Sequence, residues 1–433
     1  MSSDLPSYEQ AATLVAAHAQ KIARHHHPRT ERINLSNAAG RILAAPLQAD
    51  DDQPSFARST RDGYACRASE ASAHITLPVA GATHAGEAPA GPLPPASAWE
   101  IMTGAPVPAG ADCVVMLEHV EKSDNPPVPP ATGLGRLGGS IRLIPPRTID
   151  PGDNVVAKGA QARRGDEQLP AGARLSAAQI ALAASCGYAH LDVYACPRVA
   201  ILTTGDELVP VEAIPGPGKI RNSNAPMLAA LVANAGGEPI VLPTAADTAE
   251  ALDTALAQAL DADMLLISGG VSAGKFDLVE PALTRLGAKF HFTGVRIQPG
   301  KPLVFGQIPR GGGSQTALLF FGLPGNPISS ACTFHLFAAP ILAAIAGSRE
   351  THPRFVLANL SRDTDRKGKP GLTRFLPALC QFNFSVCEFP QVALVPWHGS
   401  GDLTAFARSN CLLVVPEDAG FLMAGTIVRI LLH

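Results

Sequence analysis

Three short loops hold most of the side chains that could do chemistry in this chain: "TTGDEL" at 203–208, "SGGVSAGKFD" at 268–277 and "GLPGNP" at 322–327. In the second, Ser268, Gly269, Gly270, Ser272 and Gly274 form a Gly/Ser turn that lets backbone N–H groups approach an anion, and a phosphate is the usual guest. A Gly-Gly pair after a strand also fits a plain turn. Asp206 and Glu207 would repel a phosphate unless a divalent cation lay between them. Magnesium suits that position, because it is held by one or two carboxylates together with phosphate oxygens and water. Either carboxylate could instead cap the next segment. Asp247 after "IVLPTAA" and Asp277 at the end of the Gly-rich loop present a similar choice. Asp277 with Glu280 reads as a capping box, and Asp277 could equally orient a ribose or a metal-bound water.

In the third loop, Pro324 and Gly325 allow a tight turn, Asn326 suits the N-cap of a helix and Pro327 its first position. Backbone donors beyond the turn would then face outward at the positive end of the helix, a seat for an anion. Upstream, "VRIQPGKPL" brings Arg296 and Lys301 as countercharges, while Pro299, Gly300 and Pro302 make a stiff turn. Elsewhere, Asp62 in "STRDGYA" and Thr103 in "IMTGAP" are polar candidates within segments dense in Gly and Pro; Asp62–Gly63 also fits a hairpin turn.

The elements around these loops should place them together. From about Arg198 to Gly347, β-rich apolar runs alternate with Ala/Leu-rich helical segments, which predicts a mainly parallel sheet covered on both faces. Asn224 reads as the N-cap of one helix, ended by Gly236–Gly237, and Asp247 as the N-cap of another beginning at Thr248. In a parallel sheet the loops that follow the strands gather along one edge, where ligands bind. Residues from about 52 to 147 show short strand-like runs and read as a β domain; its tract "ATGLGRLGGS" precedes no helix and reads as a mobile loop rather than a phosphate cradle. Helical stretches flank it at "SYEQAATLVAAHAQKIA" and "SAAQIALAASCGYA", so it reads as an insertion. After Gly347, β-like runs spaced by turns predict a small barrel or sandwich.

Composition excludes several classes. Lys plus Arg (34) nearly balances Asp plus Glu (37), with no basic cluster interleaved with aromatics, which disfavours nucleic-acid binding. The eight cysteines form no CxxC or zinc-type pair and read as reduced thiols of a cytosolic protein. No signal peptide is expected, and "FHLFAAPILAAIAG" reads as too short to span a bilayer, so a soluble cytoplasmic protein is expected. His25, His26 and His27, with no Cys or carboxylate beside them, read as a polar surface.

Taken in order, "STRDGYA", "IMTGAPVPAGADCVV", "GDNV", "TTGDEL", "IRNSN", "ISGGVSAGKFD", "IQPGKP" and "GLPGNPIS" resemble the molybdopterin molybdenumtransferase family, which includes the E domain of gephyrin. The resemblance implies a multidomain α/β plus β fold: an elongated helical dimerisation region (1–51 and 148–194), an inserted β domain (52–147), an α/β molybdopterin-binding domain like the molybdopterin adenylyltransferases (195–350) and a C-terminal β barrel (351–433). It also implies a cytoplasmic homodimer acting on adenylylated molybdopterin and molybdate with magnesium, releasing AMP, with no nucleic acid or membrane and with an adenylyltransferase of the same pathway as a conceivable partner. The family's site would join Asp62 and Thr103 of one subunit to Glu207, Asp247, Asp277, Lys301 and the Pro324–Pro327 loop of the other. Asp206, Glu207, Asp247 and Asp277 would be the magnesium candidates. The chain departs from the family pattern at Arg61, Glu100, Gln298 and Gly159-Ala160-Gln161; Glu100 and Gln298 each remove a positive charge near an expected anion site, and Arg61 adds one.

Overall fold

The computed structural model describes residues 5–26, 28–124, 139–270, 278–310, 317–364, 371–381 and 389–433. Asp277, Ser272, Gly274 and His27, and all of "ATGLGRLGGS" except its last two residues, lie outside them. The chain divides into two compact units, one of Met1–Ala45, Gly172–Ala177 and His190–His433, the other of Pro46–Ala171 and Ala178–Ala189.

In the first unit, helix α1 (Tyr8–His25) begins with a capping box in which Ser7 Oγ accepts from Gln10 N and the Gln10 side chain accepts from Ser7 N. Its Tyr8, Ala11, Val15 and Ala19 recur at helical spacing and are buried. The Tyr8 ring wedges edge-on between Phe337 and Phe375, with centroids at 6.0 and 5.2 Å. That burial pushes its phenol up to about 12.

Six strands form the sheet at the centre of this unit: β1 (Arg198–Thr203), β2 (Glu238–Val241), β3 (Met264–Ser268), β4 (Lys289–Thr293), β5 (Val304–Ile308) and β6 (Leu318–Leu323). Their order is β2-β1-β3-β6-β5-β4; the first four are parallel, β5 pairs antiparallel with β6, and β4 pairs antiparallel with β5 and so runs in the direction of the first four. The alternation of side chains explains the unbroken apolar runs. Val199, Ile201, Met264, Leu266, Leu319 and Phe321 enter one core, while Ala200, Leu202, Leu265, Ile267, Leu318 and Phe320 enter the opposite one. Helices α2 (Asn224–Asn234), α3 (Ala249–Ala259), α4 (Val279–Arg285), α5 (Pro327–Thr333) and α6 (Ala339–Ile345) cover these faces.

Several local expectations shift by a residue or more. Ser223 stands at the N-cap of α2 without a side-chain cap bond, Asn222 Oδ1 accepts from Ala225 N at 3.1 Å, and Asn224 turns its side chain elsewhere. Thr248, not Asp247, caps α3, its hydroxyl accepting from Ala251 N. Helix α4 starts at Val279 with Leu278 in the cap position, one residue past Asp277, which lets Val279, Ala282 and Leu283 face the core. The apolar stretch thought too short to span a bilayer belongs to a longer helical run, Pro327–Ile345, of mean hydropathy 1.7. A π turn at Phe334–Ala338 joins α5 to α6, and most of the run is buried in the protein core.

The chain then forms β7 (Phe355–Leu360), β8 (Thr373–Gln381), β9 (Gln391–Leu394), β10 (Cys411–Val415) and β11 (Ile427–Leu432). Pairing runs β8-β9-β7-β11-β10 and back to β8, so the sheet closes into a five-stranded barrel with no open edge.

The second unit contains a six-stranded sheet ordered Cys113–Met116, Gly63–Cys66, Ala98–Ile101, Leu77–Thr83, Ser140–Leu143 and Val120–Ser123. All of its pairs are antiparallel except Leu77–Thr83 with Ala98–Ile101. Among the described residues every cysteine is a free thiol, and all but Cys196 are buried.

Phe305 and Phe321 stack face to face at 4.6 Å within the first core. Truncating Phe305 to Ala removes this contact and leaves a cavity, which costs about 3–5 kcal/mol. The expected result is a clearly lowered melting temperature and urea midpoint; a change of only a few tenths of a kcal/mol would contradict the placement.

Candidate functional site

The parallel register sets the site. Thr203 pairs with Ser268, and Ser268 with Leu323, so β1, β3 and β6 end level with one another. The loops that follow surround a cavity of about 750 Å³ lined by Thr204, Gly205, Glu207, Arg221, Asn222, Asn224, Asp247, Ser268, Gly269, Gly270, Pro302, Pro324–Pro327, Gly401 and Leu403, among others. The size suits a small organic ligand.

Asp206, Glu207 and Asp247 do not cap helices. Asp247 N donates to Asp206 Oδ1 at 3.1 Å and Asp206 N to Asp247 Oδ2 at 3.4 Å, which ties the loop after β1 to the loop after β2. Glu207 folds back against Gly205, where a Cβ would lie 2.6 Å from Glu207 Oε2. Lys219 Nζ donates to Asp206 O at 2.5 Å, and Arg221, on the cavity wall, donates through Nε to Val211 O and Ala213 O. Among the described residues no three of His, Cys, Asp and Glu gather in a metal-holding group. The donors present are carboxylate oxygens on adjoining loops. That set fits magnesium, which needs one or two carboxylates and takes its remaining oxygens from phosphate and water.

The glycine pair has a packing reason of its own. A Cβ on Gly269 would lie 2.4 Å from Thr204 O, one on Gly270 would lie 2.8 Å from Val279 Cγ2, and both residues hold positive φ. The turn therefore lies close against β1 and α4, with both glycines still on the cavity wall. Ser268 is buried, and its hydroxyl is shared with Asn224 and Ser330.

Asn326 occupies the N-cap of α5 and Pro327 the first position. The Asn326 side chain makes no cap bond and donates instead to Ser400 Oγ at 2.8 Å. The amide of Ile328, expected to face outward, donates to Ser400 O at 3.0 Å. Lys301 is exposed beside the cavity-lining Pro302, whereas Pro299 and Gly300 are buried, and a Cβ on Gly300 would meet Thr333 Cγ2 at 2.6 Å.

Two asparagines in "IRNSN" do work that their sequence positions did not announce. Asn222 Nδ2 donates to Thr203 Oγ1 at 2.8 Å and Thr244 Oγ1 at 3.1 Å. Asn224 Nδ2 donates to Ser268 Oγ at 2.9 Å and to the Gly325 carbonyl at 2.6 Å. Asn224 Oδ1 is left buried without a hydrogen-bond partner among the described residues. Such an orphan costs about 1–3 kcal/mol, comparable with the two bonds gained, so the amide orientation is decided by Gly325, whose carbonyl can only accept.

In the second unit Asp62 Oδ1 accepts from Thr103 N at 2.6 Å and from Thr103 Oγ1 at 2.9 Å; both residues are exposed. The backbone bond first, and the hydroxyl second, hold the Asp62 carboxyl below its usual range.

A parallel sheet with a ligand-sized cavity at its carboxyl edge, followed by a closed barrel and preceded in the chain by a separate β unit, defines a multidomain α/β plus β protein. Family models agree with this organisation. Residues 6–187 match the MoeA N-terminal region (domain I and II), 200–344 a probable molybdopterin binding domain and 359–433 the MoeA C-terminal region (domain IV). A relative from Nostoc sp., named molybdopterin molybdenumtransferase, is 35% identical over 93% of this chain and 88% of its own length. One of the same name from Haemophilus influenzae is 32% identical over 93% of each. The crystal structure of a molybdopterin biosynthesis protein from Pyrococcus horikoshii superposes with a TM-score of 0.76 at 27% identity, covering 99% of this chain and 100% of that one. The chain belongs to the molybdopterin molybdenumtransferase family.

The Asp62 carboxyl should titrate with a midpoint below the ordinary value of about 3.9. A depressed native pKa contributes stability that is present above the unfolded value and lost as pH falls through the native one. In Thr103→Ala, which keeps the backbone donor, the midpoint followed by carboxyl NMR should move part of the way back up; no movement would show the hydroxyl bond is not made in solution.

Proposed function

We propose that this protein is a transferase that inserts molybdenum from molybdate into adenylylated molybdopterin, with magnesium-dependent release of AMP. One observation carries the reading: the cavity at the carboxyl edge of the parallel sheet combines Glu207 and Asp247 with the Gly269–Gly270 and Pro324–Pro327 turns, in a chain aligned along most of its length with proteins named for that reaction.

Cleaving a phosphoanhydride needs a water aligned with the phosphorus and neutralisation of charge on the departing phosphate. Magnesium held by one or two of the carboxylates of Asp206, Glu207 and Asp247, with Asp277 as a further candidate ligand, would supply that neutralisation. The polypeptide's own part is positional. The turn amides and the exposed Lys301 ammonium offset anionic charge, and the reciprocal Asp206–Asp247 bonds hold the two acidic loops together. Asp62 and Thr103 are read as ligand-positioning groups, fixed to each other by their hydrogen bonds. No nucleophilic Ser or Cys is required. The protein is further read as a cytoplasmic homodimer.

The test is AMP release from adenylylated molybdopterin and magnesium, with and without molybdate. Release stimulated by molybdate, with molybdenum kept on the pterin, is expected. Pyrophosphate release with adenylylated molybdopterin formed from ATP and molybdopterin would instead make it an adenylyltransferase, and tight binding of adenylylated molybdopterin without AMP release would make it a carrier. In the same assay Glu207→Gln and Asp247→Asn should each raise the magnesium needed for half-maximal release by about tenfold or more. Lys301→Ala should lower kcat/KM by about 100-fold with the melting temperature unchanged.

A further inference from the structure

We propose that Asn224 and Ser330 are positioning residues that aim the backbone amides of Gly325 and Asn326 at an anionic phosphate in the cavity. The phosphate belongs to the substrate on the functional reading above; the aiming itself follows from geometry within the protein. Asn224 Nδ2 holds the Gly325 carbonyl at 2.6 Å, and Ser330 Oγ holds the Pro324 carbonyl at 2.5 Å. Ser268 Oγ lies between the two, 2.9 Å from Asn224 Nδ2 and 3.3 Å from Ser330 Oγ, so the clamp is anchored at the end of β3.

A peptide unit is planar and trans, with its N–H opposite its C=O. Fixing the Pro324 carbonyl therefore fixes the Gly325 amide, and fixing the Gly325 carbonyl fixes the Asn326 amide. Both N–H groups are turned away from the side chains that hold the carbonyls. Neither amide has an acceptor among the described residues, and Pro324, Gly325 and Asn326 all line the cavity. Two adjacent amides on the cavity wall with no protein acceptor are left to donate to an anion there. Ile328 cannot take part, because its amide is already donated to Ser400 O. Asn224 accepts a buried, unpaired Oδ1 in this arrangement, which marks the donor contact with Gly325 as the one that sets its orientation.

Asn224→Asp replaces the donor by a second acceptor facing the Gly325 carbonyl, and Asn224→Ala simply removes it; Ser330→Ala releases the Pro324 carbonyl. The probe is inorganic pyrophosphate, titrated by calorimetry into the wild type and each variant, with melting temperatures measured alongside. The expected result is pyrophosphate affinity weakened about tenfold or more in Asn224→Asp and less in the two Ala variants. In turnover, the loss should fall on KM with kcat changed far less, since the seat grips ground state and transition state alike. If Asn224→Asp does not fold, Asn224→Ala decides. Unchanged affinity and KM in a folded Asn224 variant, or no pyrophosphate binding by the wild type, would overturn the inference. Binding that weakens in the variants of a wild type that never releases AMP would sustain the seat while removing the reaction.

Discussion

The level ending of three parallel strands is the constraint on which the rest of the site depends. Because Thr203, Ser268 and Leu323 sit side by side in register, the segments that follow them start from a common line and must share the space beyond it. A slip of one residue in any strand would exchange its two core faces and lift its loop out of reach of the others. The register is secured by apolar side chains entering cores on both sides, Ile201 and Leu266 to one face and Leu202 and Ile267 to the other. Positional precision at the polar edge is thus inherited from mainly apolar packing beneath it.

On that line the protein uses short side chains to join loops that are distant in the chain. Asn222 links the ends of β1 and the segment after β2, Asn224 links β3 and the turn after β6, and Asp206 and Asp247 exchange backbone bonds. Each is a neutral or singly charged contact worth little alone in water. Together they span four neighbouring strands, so the loops behave as one rim rather than as separate turns.

Much of the architecture was legible in the sequence because it is written in local periodicity. The alternation of apolar runs with Ala/Leu-rich segments exposed the parallel sheet, and the ordered motifs exposed the family. The individual side-chain roles were less legible. Asn224 stands where a helix cap would stand, and nothing nearby in the chain shows that its amide reaches Gly325, 101 residues away. Asp247 likewise precedes a helix that Thr248 caps better, because the Thr248 hydroxyl reaches Ala251 N. The glycines at 269 and 270 suggested open access to a ligand, and Thr204 and Val279 supply a second reason for them. Local patterns record what a residue can do; its partner across the fold decides what it does.

The long apolar run Pro327–Ile345 carries a consequence for biosynthesis. By length and hydropathy it would satisfy a membrane-insertion threshold, yet in the folded protein it lies mostly inside the core. It is translated after α1 and all six strands of the central sheet, so the sheet side of its cover emerges from the ribosome first, while Phe375, Leu412, Val414 and Leu431 of the barrel follow. Chain order therefore offers the run a protein partner as soon as it appears, and a circular permutation that put it ahead of those strands would leave the same apolar residues to emerge before the sheet that covers them.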